Sequence, residues 1–231
     1  MIIEPNNCYN IDCAIGLVKM REQGIKADWC ITDPPYGINI QKMCYTQSGA
    51  KRIGKAVRND YTDTGDWDSE RVAAGLFDLI FECSNDQLIF GGNYYTDILP
   101  PTKSWCVWNK RHFSLTDRND FADCELAWCS KGVARMINYM YNGMLQDDTK
   151  NKDIRFHPTQ KPTQMWTQIL LLYTKENDLI LDPFAGSQSL RIACHKTNRR
   201  YIGFEINKDY FDKGCKWFEK ETAQISIMDL L

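Results

Sequence analysis

Short apolar runs alternate with longer amphipathic ones along most of the chain. Runs of three to seven residues at 28–32, 87–90, 104–109, 123–129, 179–181 and 201–204 are rich in Ile, Leu, Val, Cys and aromatic residues. Their length and near-continuous hydrophobicity predict strands buried on both faces. Between them, apolar positions recur at helical spacing. Residues 12–22 carry Ile15, Leu17, Val18 and Met20, 68–83 carry Val72, Leu76, Leu79 and Ile80, and 162–174 carry Trp166, Ile169, Leu170 and Tyr173. Helices are predicted there and at 187–196 and 209–221, with Asp12 and Asp68 as N-caps and Gly24 ending the first. Strands alternating with helices predict an α/β fold, a doubly wound, mostly parallel sheet.

Two stretches break the pattern. Residues 38–65 contain Gly49, Gly54 and Gly65 with little periodicity, and read as a long mobile loop. Residues 130–160 are polar and irregular. A length of 231 residues suits a single domain over 1–231.

Charge changes the picture only locally. The net charge is −2, so a nucleic-acid partner would need a local patch. Residues 38–58 supply one: Lys42, Lys51, Arg52, Lys55 and Arg58, with no Asp or Glu. The 10 cysteines form no Cys-x-x-Cys pair and the chain has three His, so no metal site is expected. Most of these cysteines sit in apolar runs, as buried free thiols of a reducing compartment do. Met1-Ile2-Ile3 meets Glu4-Pro5 at once, so neither a signal peptide nor a membrane span is expected.

The chemistry gathers at two strand ends. The strand at 28–32 runs into Asp33-Pro34-Pro35-Tyr36-Gly37. Two prolines fix φ and remove donors, so the chain leaves its strand in a rigid turn that holds an acceptor, Asp33, beside an aromatic face, Tyr36. The strand at 179–181 runs into Asp182-Pro183-Phe184-Ala185-Gly186-Ser187. Ligands bind at such carboxyl ends in doubly wound folds. An acidic residue, Glu205, ends the following strand, where it can accept hydrogen bonds from ribose hydroxyls. A dinucleotide fits this spacing, but Gly-x-Gly-x-x-Gly is absent and Asp182 would repel a pyrophosphate. Adenosine with a cationic or zwitterionic tail fits better.

Asp33-Pro34-Pro35-Tyr36 followed by Asp182-Pro183-Phe184-Ala185-Gly186-Ser187 resembles the S-adenosylmethionine-dependent DNA amino-methyltransferases. The catalytic motif precedes the cofactor motif, as in the β group, whose order is a circular permutation of the common one. His157-Pro158-Thr159-Gln160-Lys161-Pro162 resembles a third motif of that group. The resemblance implies a Rossmann-like fold and S-adenosylmethionine as cofactor. It places Asp182, Phe184, Ala185, Gly186 and Ser187 on the methionine and ribose side of the pocket and Glu205 on the ribose hydroxyls. Asp12 and Cys13 would lie near the adenine, Thr159 and Lys161 near the methionine end, and Asp33 would also contact the cofactor.

The implied reaction is methylation of adenine N6 in double-stranded DNA, with the base flipped out of the duplex. Asp33 and the Pro34 carbonyl would accept hydrogen bonds from the amino group, Pro35 would shape the turn, and Tyr36 would stack on the base. Adenine is preferred because Asp opens the motif; N4-cytosine is the alternative. A further alternative is a catalytically weak DNA- or cofactor-binding homologue. It is motivated by Gln188, which stands where the family usually has glycine: harmless if φ is negative, a threat to cofactor affinity otherwise. Residues 110–155 fall where the β group places target recognition, and Lys110 and Arg111 join the basic loop as candidate DNA contacts. So short an insertion fits a short target or a homodimer. The implied setting is the cytoplasm of a bacterial or phage-infected cell.

Overall fold

The computed structural model describes residues 1–39, 68–110, 122–142, 145–147 and 152–228, with side chains described up to residue 223 except at 142 and 145. Lys42, Lys51, Arg52, Lys55, Arg58 and Arg111 lie outside these residues, as does most of the loop expected at 38–65.

The chain opens with β1 (Asn7–Tyr9), α1 (Cys13–Glu22) and β2 (Ala27–Thr32). Then come α2 (Ala74–Cys83), β3 (Ser84–Phe90), β4 (Trp105–Asn109), β5 (Cys124–Cys129) and β6 (Arg135–Asn138). A small hairpin, β7 (Tyr141–Asn142) and β8 (Leu145–Gln146), precedes α3 (Thr163–Tyr173). The chain continues through β9 (Leu179–Asp182), α4 (Ser189–Lys196), β10 (Arg200–Phe204) and α5 (Lys208–Met228). Eight strands form one sheet in the order β1-β10-β9-β2-β3-β5-β4-β6. β5 runs antiparallel to both its neighbours; the other pairings are parallel.

Both faces of the sheet are covered, as its apolar strands require. Trp29, Ile31, Leu88, Phe90 and Ile180 point to one face, under Met165 and Ile169 of α3 and Leu190 and Ala193 of α4. Cys30, Ile89, Leu179, Leu181 and Ile202 point to the other, under Leu17 and Met20 of α1 and Phe77 and Ile80 of α2. The sheet is therefore doubly wound, as expected. From β9 the chain winds outward through β10; from the adjacent β2 it winds the opposite way through β3. The carboxyl ends of β9 and β2 thus form the topological switch point, where such sheets bind ligands.

Two expectations are corrected. Asp68 does not cap a helix: α2 begins after Ala73, which makes no side-chain cap, and the Asp68 carboxylate is bound to the turn after β2. Residues 130–160, expected to be irregular, contain β6 and the β7–β8 hairpin; β6 pairs with β4 along the sheet edge. β5 matches the strand expected at 123–129, and it lies with β6 and the hairpin inside 110–155, the segment expected to carry target recognition. No helix among the described residues is long and apolar enough to cross a membrane.

Candidate active site

The turn after β2 is held from four sides. Asp68 accepts from the amides of Tyr36 (2.7 Å) and Gly37 (3.0 Å). It is 1% exposed, so these bonds form away from water, where they count most. The Tyr95 hydroxyl donates to the Pro35 carbonyl. The Tyr36 ring stacks on Tyr94, with centroids 4.8 Å apart and planes at 15°. Gly91, at φ +65°, supplies the space: a Cβ there would come within 2.0 Å of Tyr36 Cε1. Tyr36 finally turns its hydroxyl back to Asp33 Oδ1.

The second oxygen of Asp33 receives the Lys161 ammonium. Lys161 is 6% exposed, 3.2 Å from Glu125 Oε2 and 4.7 Å above the Phe90 ring. Glu125 Oε1 in turn binds Lys110 at 2.8 Å. Burial pushes the Asp33 carboxyl up from its ordinary value, although Lys161 opposes it. For Glu125 burial acts the same way, but Lys161 and Lys110 outweigh it and hold the carboxyl below its ordinary value. Burial works against the Lys161 charge, and Asp33 and Glu125 reverse that, leaving the ammonium pKa raised. Lys110, expected on DNA, is thus paired within this cluster.

A cavity of about 220 Å³ lies at the switch point. Asp33, Pro35 and Lys161 border it from the catalytic side, Asp182 to Ser187 from the turn after β9, and Glu205 from the end of β10. Asp12, Cys13 and Thr159 also line it, so each expected cofactor residue reaches one space. Ile206, Asn207 and Tyr210, with Trp166, Ser189, Leu190 and Phe204, line it too and were not expected from the sequence.

The cavity is lined by carboxylates, of which Asp182 and Glu205 are buried. Asp182 accepts from Thr32 Oγ1 (2.8 Å), Phe184 N (3.3 Å) and the Tyr201 hydroxyl (3.3 Å). Glu205 accepts from Gly186 N (2.7 Å) and Asn207 N (2.8 Å). Burial pushes each of these carboxyls up to about 7. Asp12 caps α1 through Ala14 N (2.7 Å) while facing the cavity, so its cap and ligand roles coexist. Burial pushes the Cys13 thiol up to about 12, which leaves it a neutral wall residue. His157 is held neutral, its pKa lowered by burial and by Lys161 and Arg155 to about 3. Its Nδ1 accepts from Thr159 N at 3.3 Å. Among the described residues that line this wall, the one cation, Lys161, is engaged by two carboxylates. The donor set suits hydroxyls and a cationic tail and disfavours a pyrophosphate.

Gln188 has φ 61° and ψ 21°, so the harmless case of negative φ is not the one found. Its side chain turns away from the cavity. Nε2 donates to Phe211 O at 3.0 Å and Oε1 accepts from Arg191 at 2.9 Å. Gly214 of α5 makes room for it, since a Cβ there would come 2.7 Å from Gln188 Nε2. The substitution therefore places about 1–2 kcal/mol of backbone strain beside the site, not a side chain within it.

Comparison with known proteins agrees with this geometry. The model of the N6/N4 DNA methylase family matches residues 43–216, about three quarters of the chain. That match begins after the Pro turn, so the turn stands on its own motif and geometry. The type II methyltransferase M.HpaI of Haemophilus parainfluenzae is 39% identical over 79 residues, 34% of this chain and 25% of that protein. The chain spans about a quarter of the length of this relative and of the next two. The type II methyltransferase M2.MboI of Moraxella bovis is 29% identical over 94% of this chain and 88% of its own. The crystal structure of the M1.HpyAVI–SAM complex superimposes with a TM-score of 0.59 at 23% identity, over 91% of this chain and 98% of that one. With the doubly wound sheet, the Asp33 turn and the acidic cavity at its switch point, the family match places the chain in the N6/N4 DNA methylase family.

Proposed function

We propose that this protein transfers a methyl group from S-adenosylmethionine to the N6 amino group of adenine in double-stranded DNA. One observation carries the reading: the Asp33 carboxylate and the acidic cavity after β9 border the same space, with Thr32 hydrogen-bonded to Asp182 between them. An amino acceptor thus faces a site suited to an adenosine with a cationic tail. The solved relative M1.HpyAVI binds SAM, and type II methyltransferases such as M.HpaI and M2.MboI are among the relatives.

Glu205 and Asp12 would hold the hydroxyls and adenine of the cofactor, and Asp182 with Thr159 its methionine end. Bound there, the cofactor supplies an electrophilic sulfonium methyl. The chain supplies position and charge. Adenine N6 is a weak nucleophile because its lone pair is delocalised into the ring. Asp33, joined by the Pro34 carbonyl, accepts hydrogen bonds from the amino group and draws the nitrogen toward sp³ geometry. Each oxygen of Asp33 has one partner, Tyr36 or Lys161, and a carboxylate has lone pairs left for a second. Tyr36, fixed by Asp68 and Gly91, offers its ring to the flipped base. Positioning and fixed charge then provide most of the rate enhancement.

The basic residues Lys42, Lys51, Arg52, Lys55, Arg58 and Arg111 remain the proposed phosphate contacts. A short target sequence, or a homodimer on the DNA, and a cytoplasmic setting in a bacterial or phage-infected cell belong to the same proposal. The test is incubation of duplex DNA with methyl-labelled cofactor, followed by digestion to nucleosides. Label in N6-methyl-2′-deoxyadenosine is expected; label in N4-methyl-2′-deoxycytidine would overturn the adenine assignment. No label above an Asp33→Ala control would leave the weakly catalytic binding protein.

A further inference from the structure

Beside the proposed acceptor lies a row of alternating charges that the reaction as described does not use. Lys110 at the end of β4, Glu125 on β5, Lys161 before α3 and Asp33 after β2 follow one another as cation, anion, cation, anion. Lys110 Nζ to Glu125 Oε1 is 2.8 Å and Lys161 Nζ to Glu125 Oε2 is 3.2 Å; Lys161 then bonds to Asp33 Oδ2. Glu125 thus divides its two oxygens between the two lysines, which fixes the plane of its carboxylate.

We infer that Glu125 is a positioning residue for this reaction: backed by Lys110, it holds the Lys161 ammonium against Asp33 and so sets how strongly that carboxylate accepts the target amino group. The inference rests on Asp33 being the amino acceptor. The Lys161 side chain is 6% exposed, and an ammonium so placed is stable only where anions surround it. Two carboxylates share it. With Asp33 as sole partner, Lys161 would bind it more tightly and make it a weaker acceptor; with neither lysine, Asp33 would tend to protonate in its dry setting. The row balances these extremes through a residue outside the lining of the switch-point cavity.

The other groups facing Asp33 are Tyr36 from its own turn, Tyr95, Asp182 from β9, and, beyond Lys161, His157. Asp182 titrates near neutrality, so its contribution must be separated from that of Glu125. Variants at the far end of the row do this, because they leave Asp182 and its hydrogen bonds in place.

The test is the titration of the Asp33 carboxyl in ligand-free protein, followed by carboxyl carbon-13 NMR, in the wild type, Glu125→Gln and Lys110→Met. Glu125 and Lys110 are 29% and 21% exposed, and a thermal melt checks that each variant folds. Removing the negative charge should move the Asp33 titration down by about one pH unit, and removing the positive charge should move it up. In methyl transfer, Glu125→Gln should lower kcat about ten-fold with KM nearly unchanged, one pH unit being a ten-fold change in equilibrium. A folded Glu125→Gln with an unmoved Asp33 titration, or shifts of the same sign in both variants, would overturn the inference. The titration needs no turnover, so a wild type inactive on DNA would sink the functional reading and leave this result standing on its own.

Discussion

The Thr32 hydroxyl donates to the Asp182 carboxylate at 2.8 Å, joining residues 150 positions apart in the chain. Thr32 immediately precedes the Asp33 turn, and Asp182 begins the turn after β9. The β2–β9 ladder sets the spacing of the two motifs, and this side-chain bond ties them together beyond its last pair. Thr32→Val keeps the shape and removes the donor. Loss of about 1–2 kcal/mol of stability is expected by chemical denaturation, with weaker cofactor binding by calorimetry.

Asp182 has a pH signature. Its folded pKa is raised by burial to about 7, above the unfolded value near 4. The folded state therefore holds its proton more tightly, and this group lowers stability as pH rises from about 4 through 7. Asp182→Asn carries no such charge. In ligand-free protein it is expected to be more stable than the wild type at pH 8, by about 1–3 kcal/mol, and nearly equal at pH 4. Its thermal shift with S-adenosylmethionine should be smaller than that of the wild type. Melts at the two pH values, with and without cofactor, check both.

Asp68 supports the catalytic turn through two amides. Asp68→Ala leaves both buried donors unpaired, at a cost of about 2–4 kcal/mol. Asp68→Asn retains an acceptor oxygen and should recover most of this. The expected kinetic result is a lower kcat in Asp68→Ala with cofactor affinity preserved, because the cavity after β9 does not depend on Asp68.

Gly91→Ala would drive a methyl into the Tyr36 ring and place Ala at φ +65°. Tyr36 must shift, so methyl transfer should fall at least ten-fold while the fold survives with about 1–3 kcal/mol lost. Labelled transfer and a urea melt measure the two effects.

Gln188→Gly relieves left-handed strain but gives up hydrogen bonds to Phe211 and Arg191. The two effects nearly cancel, and a stability change within about 1 kcal/mol is expected. Cofactor affinity should stay within about two-fold, since the side chain faces α5; a larger change in calorimetry would show that the turn itself had moved.

The sequence exposed what local chemistry encodes. The strands at β2, β3, β9 and β10 stood out as apolar runs, and the two motif turns as breaks that Pro and Gly impose at strand ends. The residues expected to line the cofactor site all border one cavity. What the sequence hid depends on tertiary partners. Asp68 precedes an amphipathic run and looks like any N-cap; only the fold brings it to the Tyr36 and Gly37 amides. Glu125 is a charge within an apolar strand, a signal that could have marked it, but its partners Lys110 and Lys161 come from two other segments. The Tyr94 stack and the Gly91 gap likewise need β3 beside β2. β6 escaped because an edge strand buries little, its pattern being one buried residue in four.

The most direct test of the central claim is transfer of labelled methyl from S-adenosylmethionine to duplex DNA, with the product nucleoside identified. Label is expected in N6-methyl-2′-deoxyadenosine, abolished by Asp33→Ala while that variant still binds cofactor. Equal incorporation by the wild type and Asp33→Ala, or label in another nucleoside, would contradict it.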